Sequence, residues 1–481
     1  MQIRVDCPQC GGLITFDEKL EMVRCTYCGS TNQITGKSGL LRFMFTPRWT
    51  KGECRQRLMS LLRGKKASSL KEKRTRLVYA PYWRIKGMVF HWVLGKRQSP
   101  SNNVWTRSWY DAKELKTKAF DFSFPAYTRP DFGLNTLGVR AAALPLQIFH
   151  QNRLGGEELV LPTQVSPEEA ARHSSGFLTF GLSDRNLKPD FVDTQLVGET
   201  YAVIYFPFWL VEVGTGKRTG LLIIDGVANR IKRTLWDQSI SSFIDKDNHT
   251  ARATDFGTLH LIPCRCPVCG WDLPFAPESK FHVCPTCCRA WGENNGNYKE
   301  IEYQLAAVQR ECEHSICYMP FWDLETQIHT PEGVLRSKTD LCRLVPSLQV
   351  QGNQGGTNPE TIHFLIPAFR IKSMPAFCKL ATQFTVRPPH CRLRSKQELE
   401  KQKFAGVFLP GKEAGEMARV ILISMVPKYH RRARQLLKNT KLEFTPPRLI
   451  YYPFFQKGLF LREANSTHSI QHGTVGLGFM E

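Results

Sequence analysis

The chain has 481 residues, 65 Lys and Arg against 43 Asp and Glu, a net charge of +22, and 42% hydrophobic and 11% aromatic residues. That length exceeds one compact core and predicts roughly two to four domains, and the composition excludes a disordered or membrane-embedded chain. No apolar run reaches the roughly 18–20 residues that span a bilayer; the most apolar stretch, "YAVIYFPFWLV" at 201–211, is short, rich in β-branched and aromatic residues, and reads as a strand.

The first element is "CPQCGGLITFDEKLEMVRCTYC", residues 7–28, and 259 residues later comes "CPVCGWDLPFAPESKFHVCPTC". Both have the form Cys-x2-Cys-x14-Cys-x2-Cys. Each Cys-x2-Cys knuckle turns two sulfurs toward one ion, and four thiolates favour a soft tetrahedral cation, so two structural zinc ions per chain are expected. Their ligands are Cys7, Cys10, Cys25 and Cys28 in the first frame and Cys266, Cys269, Cys284 and Cys287 in the second. Glycine follows three knuckles (Gly11, Gly29, Gly270), while Cys288 stands in the fourth such place. With a metal-type cysteine already at residue 7, no secretory leader is expected. Cysteines used this way point to a reducing compartment, the cytoplasm.

Beyond each frame a proline flanked by aromatics recurs: Pro81, Pro125 and Pro207 after the first, Pro320, Pro367 and Pro453 after the second. The spacings are 44 and 82 residues, then 47 and 86. The middle member is Pro-Ala-aromatic both times. "LVLPTQVSPEEAARHSSGFL" (159–178) aligns with "VFLPGKEAGEMARVILISMV" (407–426) through Leu-Pro and a following apolar-periodic helix. The chain therefore reads as α+β: two tandem copies of a four-cysteine zinc ribbon followed by a β-rich body of antiparallel strands with packed helices. The divisions are ribbon 1 at 1–36, body 1 at 37–240, ribbon 2 at 262–297 and body 2 at 298–481, with the polar "DKDNHTARATDFG" between the copies. Each Pro-aromatic motif reads as the start of a strand, because proline tolerates an edge or first position. Turn signals follow at 214–220, 225–229 and 330–334, and helices are expected over 51–63, 167–178 and 413–426.

The order "CPQCGG…CTYCGS", a Phe-led helix in "FMFTPRWTKGECRQRLMSLL", then "YAPYW" resembles bacterial zinc-ribbon proteins of the TFIIB-type or primosomal-protein-N′-like kind. The resemblance implies a small scaffolding or accessory factor without a helicase motor, in some relatives attached to membrane-surface assemblies. "GSTNQITGKSG" holds Gly36-Lys37-Ser38, but Thr31 stands where a phosphate loop needs glycine, and the segment follows a zinc knuckle rather than a buried strand, so no nucleotide site is expected. His-Glu-x-x-His, Gly-x-Ser-x-Gly and dinucleotide fingerprints are absent, and an enzyme is not expected. The remaining cysteines, Cys312 and Cys317 beside His314 included, show no further metal spacing and read as packed thiols.

The charge is localised. Residues 38–97 hold 16 basic and 2 acidic side chains, and residues 370–443 hold 17 and 5. The densest runs, 63–76 and 428–441, suggest one composite positive surface made by Lys65, Lys66, Lys73, Arg74, Arg431, Arg432 and Arg434. Its anionic partner would be nucleic acid, an acidic protein or lipid headgroups. Two functions follow: a zinc-binding scaffold or adaptor with protein partners in a larger assembly, or a sequence-independent nucleic-acid-binding accessory factor.

Overall fold

The computed structural model describes residues 1–37, 39–53, 56, 71–99, 108–150, 154–175, 184–215, 218–244, 256–294, 296–309, 314–342, 344–345, 361–389, 392–394 and 403–476. In the first half, β1 (Gln2–Asp6), β2 (Leu13–Asp17), β3 (Met22–Arg24) and β4 (Thr31–Thr35) carry the first cysteine frame. Then come β5 (Leu41–Met44), β6 (Lys71–Gln98), β7 (Trp109–Pro125), β8 (Leu146–Ile148), β9 (Leu159–Val160), helix α1 (Pro167–Ser175), β10 (Leu187–Thr215), β11 (Arg218–Asp225) and β12 (Ile231–Trp236). In the second half, β13 (His260–Pro263), β14 (Phe281–Val283), β15 (Ala290–Asn294) and β16 (Asn297–Ile301) carry the second frame. They lead to β17 (Tyr303–Ala306), β18 (Ile316–Thr330), β19 (Gly333–Leu335), β20 (Ile362–Pro367), α2 (Met374–Val386), β21 (Leu393–Arg394) and β22 (Lys403–Phe404). The last elements are α3 (Gly411–Met425), α4 (Arg431–Leu437), β23 (Lys441–Phe444), β24 (Arg448–Lys457), β25 (Phe460–Glu463) and β26 (Ser469–Gln471). The fold is mixed and strand-rich, with one ten-stranded sheet in each half and a three-stranded sheet at each cysteine frame. Of the expected helices, 167–178 and 413–426 correspond to α1 and α3; most of 51–63 lies outside the described residues.

The same pairings recur in the two halves. Pro81 faces Tyr205 and Tyr79 faces Pro207 across β6 and β10; Pro320 faces Tyr451 and Tyr318 faces Pro453 across β18 and β24. Tyr82 faces Pro125 on β7, and Phe321 faces Pro367 on β20. The Trp83 indole donates to the Val165 carbonyl at 3.0 Å, and the Trp322 indole to that of Leu409 at 2.7 Å. The Leu161 amide donates to Tyr79 and the Ala405 amide to Tyr318. These last bonds match Leu161 with Ala405, four residues from the Leu409 that the Leu-Pro alignment pairs with it; the shared Leu-Pro is a local coincidence, and backbone pairing fixes the register.

The prolines do not start strands. Pro81, Pro207, Pro320 and Pro453 lie inside β6, β10, β18 and β24. Within a strand a residue's N–H and C=O point to the same side, and each of these four carbonyls accepts a bond at the end of a neighbouring ladder: from Ala126, Gly226, Ala368 and Ala464 respectively. The missing N–H therefore falls where pairing on that side stops, and the opposite ladder runs on undisturbed. The flanking aromatics form the cores. Tyr82 meets Tyr127 and Phe206 edge-on, and Phe321 meets Phe369 and Tyr452 in the same way while Phe384 stacks on it at 4.2 Å.

One matched pair differs in charge balance. Asp225 on β11 and Glu463 on β25 face Phe208 and Phe454, and both are buried. Asp225 accepts amides from Val227 and Ala228 and pairs with Arg140 at 3.0 Å. Glu463 accepts the Asn465 amide, and burial pushes its carboxyl above the ordinary range. Asp225→Asn should cost about 1–3 kcal/mol, since it removes a charge-assisted bond. Glu463→Gln should raise the melting temperature at neutral pH. A raised carboxyl holds its proton more tightly folded than unfolded, so stability falls as pH rises through the folded value, and the variant escapes that loss. The gap between variant and parent should close in acid, as thermal melts across pH would read.

The outer halves of β6, β7 and β10 form a three-stranded arm that lies on α3 of the second half. Phe90, Trp92, Leu94, Phe191 and Val197 share one cluster with Met417, Val420 and Ile421. The Trp92 indole donates to the Val420 carbonyl, and the Lys113 ammonium caps the end of α3 through the Ser424 and Val426 carbonyls, 2.6 Å each.

Candidate metal centres

Four knuckles with one hydrogen-bond pattern build the two clusters. Cys7 donates its amide to Gly12 and its carbonyl accepts from Gly11; Cys25 does the same with Ser30 and Gly29, Cys266 with Trp271 and Gly270, and Cys284 with Arg289 and Cys288. The turn needs a left-handed residue, which Gly11, Gly29 and Gly270 supply at φ 70°, 75° and 76°. Cys288 takes φ 56° in the fourth knuckle, a conformation that costs a residue with a Cβ about 1–2 kcal/mol. Cys288→Gly should therefore stabilise ribbon 2 by up to about 1 kcal/mol, measurable as a higher chelator concentration needed to strip it.

The four sulfurs of each group all lie within 4.8 Å of one another. Cys7 is 3.8 Å from Cys28 and Cys10 is 3.7 Å from Cys25; in the second group, Cys266–Cys287 and Cys269–Cys284 are both 3.5 Å. A tetrahedral ion with metal–sulfur bonds of about 2.3 Å sets its sulfurs about 3.8 Å apart. A disulfide would need about 2.05 Å. The eight cysteines thus form two four-thiol groups that can each hold a metal ion. Burial alone would raise the Cys7 thiol, but the Cys10 and Gln9 amides aimed at its sulfur bring it down to about 6. Burial opposes ionisation of Cys266 too, and the Cys269 and Val268 amides lower it to about 7. For Cys10 the Gly12 amide is outweighed by burial and the three neighbouring thiols, which push it to about 12. Four crowded thiols ionise together only around a cation.

The frames differ at their tips. In ribbon 1 the Tyr27 ring covers Gly12, where a Cβ would sit 2.5 Å from it. The residues 259 places on are Trp271 and Thr286, so the aromatic has moved from the second knuckle to the first. Tyr27 is 71% and Trp271 65% exposed.

The two frames also touch. The β13 strand, just ahead of ribbon 2, pairs with β4 of ribbon 1, from His260 opposite Thr35 to Pro263 opposite Asn32. Met22 of β3 is wholly buried in a cluster with Cys266, Cys284 and Trp291. The Glu21 carboxylate pairs with Lys37 at 3.2 Å and Lys280 at 2.5 Å. Spacing did not reveal this seam. Its one local sign is Met22-Val23, two buried neighbours in a three-residue strand, which implies that both faces are covered.

Of the seven basic residues named for the composite surface, five lie among the described residues. Lys65 and Lys66 lie outside the described residues. Lys73 crosses Gly214 to donate to Thr219, and Arg74 is exposed beside it on β6. Arg431 is exposed and Arg432 pairs with Glu332. Arg434 is 5% exposed and spent on Asp190 at 2.9 Å, so it is a structural ion pair that cannot meet an anionic partner. The same guanidinium is 4.0 Å from Asp111, which faces Lys96, and Lys96 lies 22 residues along β6 from Arg74. At about 3.3 Å per residue that is an extended path of about 70 Å along β6 between Arg74 and the strand end that Arg434 approaches. Lys37 is equally committed, to Glu21 and the Glu18 carbonyl; its segment does follow a buried strand, β4, but a strand rather than a helix comes next. Cys317 is the second residue of β18, where burial pushes its thiol to about 12; Cys312 lies outside the described residues.

Among the described residues, no helix is long and apolar enough to cross a membrane. Comparison with family models, curated proteins and solved structures yields no match.

Proposed function

We propose that the chain is a non-enzymatic, zinc-dependent scaffold or adaptor, built from two tandem copies of one unit and joining protein partners at its ribbon tips. Zinc is the ion read into both clusters, because four thiolates suit a soft tetrahedral cation and leave no open position for substrate or water. When bound, the ion cross-links hairpins too short to hold themselves. Such sites last only while the thiols stay reduced, which fits the cytoplasm. The tandem reading rests on the shared register around the six prolines.

The observation that carries the scaffold reading is the chemistry of the tips. Residues 8–12, 26–29, 267–271 and 285–288 contain no charged side chain in a chain of net charge +22, and they present Tyr27 and Trp271 to solvent. An uncharged aromatic tip suits a desolvated protein contact and offers nothing to a phosphate. A tagged chain should retain the same proteins from native lysate with and without nuclease. The Tyr27→Ser, Trp271→Ser double variant should lose them while keeping two zinc ions. Capture that disappears with nuclease sinks this reading.

One feature favours the second reading, a sequence-independent nucleic-acid accessory factor. Arg431, Arg432, Lys438 and Lys441 are exposed around α4, beside Tyr429, which is 69% exposed. Anisotropy with mixed-sequence oligonucleotides at about 50 and 200 mM salt tests it, because phosphate contacts weaken steeply over that range. No binding at the lower salt leaves that face to a protein or lipid headgroups.

A further inference from the structure

We infer that the two metal sites form one coupled unit, in which an ion bound in either ribbon tightens the grip of the other. The inference rests on reading both clusters as zinc sites. The segments that flank the ligands of one ion are bonded to those that flank the ligands of the other. Met22, three residues before Cys25, shares one buried cluster with Cys266 and Cys284. The Glu21 and Met22 amides both donate to the Pro277 carbonyl, at 2.5 and 3.1 Å. The Cys264 amide, two residues before Cys266, donates to the Thr31 carbonyl, three residues past Cys28. β4, which closes the second knuckle of ribbon 1, is paired on one edge with β3 and on the other with β13. Further along, the Gly36 amide donates to the Glu293 side chain at 2.9 Å, and Arg24 lies over the Phe275 ring at 4.8 Å.

The strands that carry the two cysteine groups run three to five residues each, and metal binding supplies much of the folding free energy of such short elements. When one ion leaves, its second knuckle loosens, and with it the strand edge, carbonyls and apolar cover on which the other knuckle rests. Because the linkage is between binding free energies, it must act equally in both directions. Ribbon 2 owns the strand that replaces this support on its far side: β16 pairs with β15 as β13 does with β4, so the series of ribbons is closed at that end.

The test uses the full chain. Elemental analysis comes first: fewer than two zinc ions overturns the metal reading and the coupling together. Cys28→Ser should then leave one ion in ribbon 2, and Cys287→Ser one in ribbon 1. In each variant the remaining ion should be held roughly tenfold more weakly, in equilibrium competition with a chromogenic chelator, than the same site holds it in the two-zinc parent, a mid-range coupling. A site whose affinity in both variants equals that in the two-zinc parent overturns the coupling and spares the metal reading. In case a ligand variant fails to fold, Met22→Ala keeps all eight thiols. Native mass spectrometry of the metal-free parent given one equivalent of zinc should show the one-zinc form at about a quarter rather than the statistical half, given tenfold coupling. Met22→Ala should move the distribution back toward the statistical one; a parent already at half or above is again evidence against coupling.

Discussion

Chelating both ions should strip hydrogen-exchange protection from residues 22–35 and 260–301, the two three-stranded sheets, while the two ten-stranded sheets, β1 and β2 among them, keep theirs. The strands of these two sheets are short: β3 and β14 have three residues each, and the two sheets reach the large cores through a few residues such as Val23, Ile34, Val283 and Ala290. Structural zinc in isolated finger modules supplies an apparent 10–16 kcal/mol, far more than such hairpins gain from burial. The central strands stand differently. β6 and β10 pair along almost their whole length, and β18 is flanked by β24 on one side and β20 on the other. Cys25→Ser should lose one ion and its protection first over residues 22–35. Cys317→Ser, outside both clusters, should keep two ions. Exchange mass spectrometry with and without chelator reads the pattern. Loss of protection spread evenly over β6, β10 and β18 would mean that the metals hold the whole molecule.

The ligand sets were legible because a four-thiol site leaves its geometry in spacing, and the repeat was legible because proline and aromatics recur in order. What the prolines do was not. A proline at 81 or 207 looks locally like a strand start, and only the neighbouring ladders show that its missing N–H falls where one of them ends. Charge runs mislead for a similar reason. Arg434 sits in the densest basic run of the second half, yet its partner Asp190 is 244 residues away, and no local pattern announces it. The contacts between the ribbons span comparable distances; Lys280 and Glu21 are 259 residues apart. Local sequence tells which groups are charged or apolar, and tertiary pairing decides which of them remain available to a partner.

Such pairing also makes the arm of the first half part of the second half's core. Trp92 is buried, packs in one cluster with Val420, Ile421 and Met417 of α3, and donates its indole N–H to the Val420 carbonyl. Trp92→Ala should cost about 3–5 kcal/mol, the usual range for emptying a large aromatic site that cannot collapse. A second contact a few residues away lets the docking be separated from simple core damage. Asp193 on β10 receives the Arg419 guanidinium at 2.6 Å, and Arg419 also donates to the Thr440 and Leu437 carbonyls. Asp193→Ala strands that guanidinium without its carboxylate; removing one member of a buried pair costs about 3–5 kcal/mol, less here because Arg419 keeps two carbonyls and some solvent. If the arm docks as a unit, the two losses share one event and should sum to less than the separate costs by about 1 kcal/mol or more. Amide exchange across α3, residues 411–425, should accelerate in both variants although neither substitution lies on that helix. Full additivity with an unperturbed α3 would mean that the arm merely lies against the second half, and that each half folds on its own account.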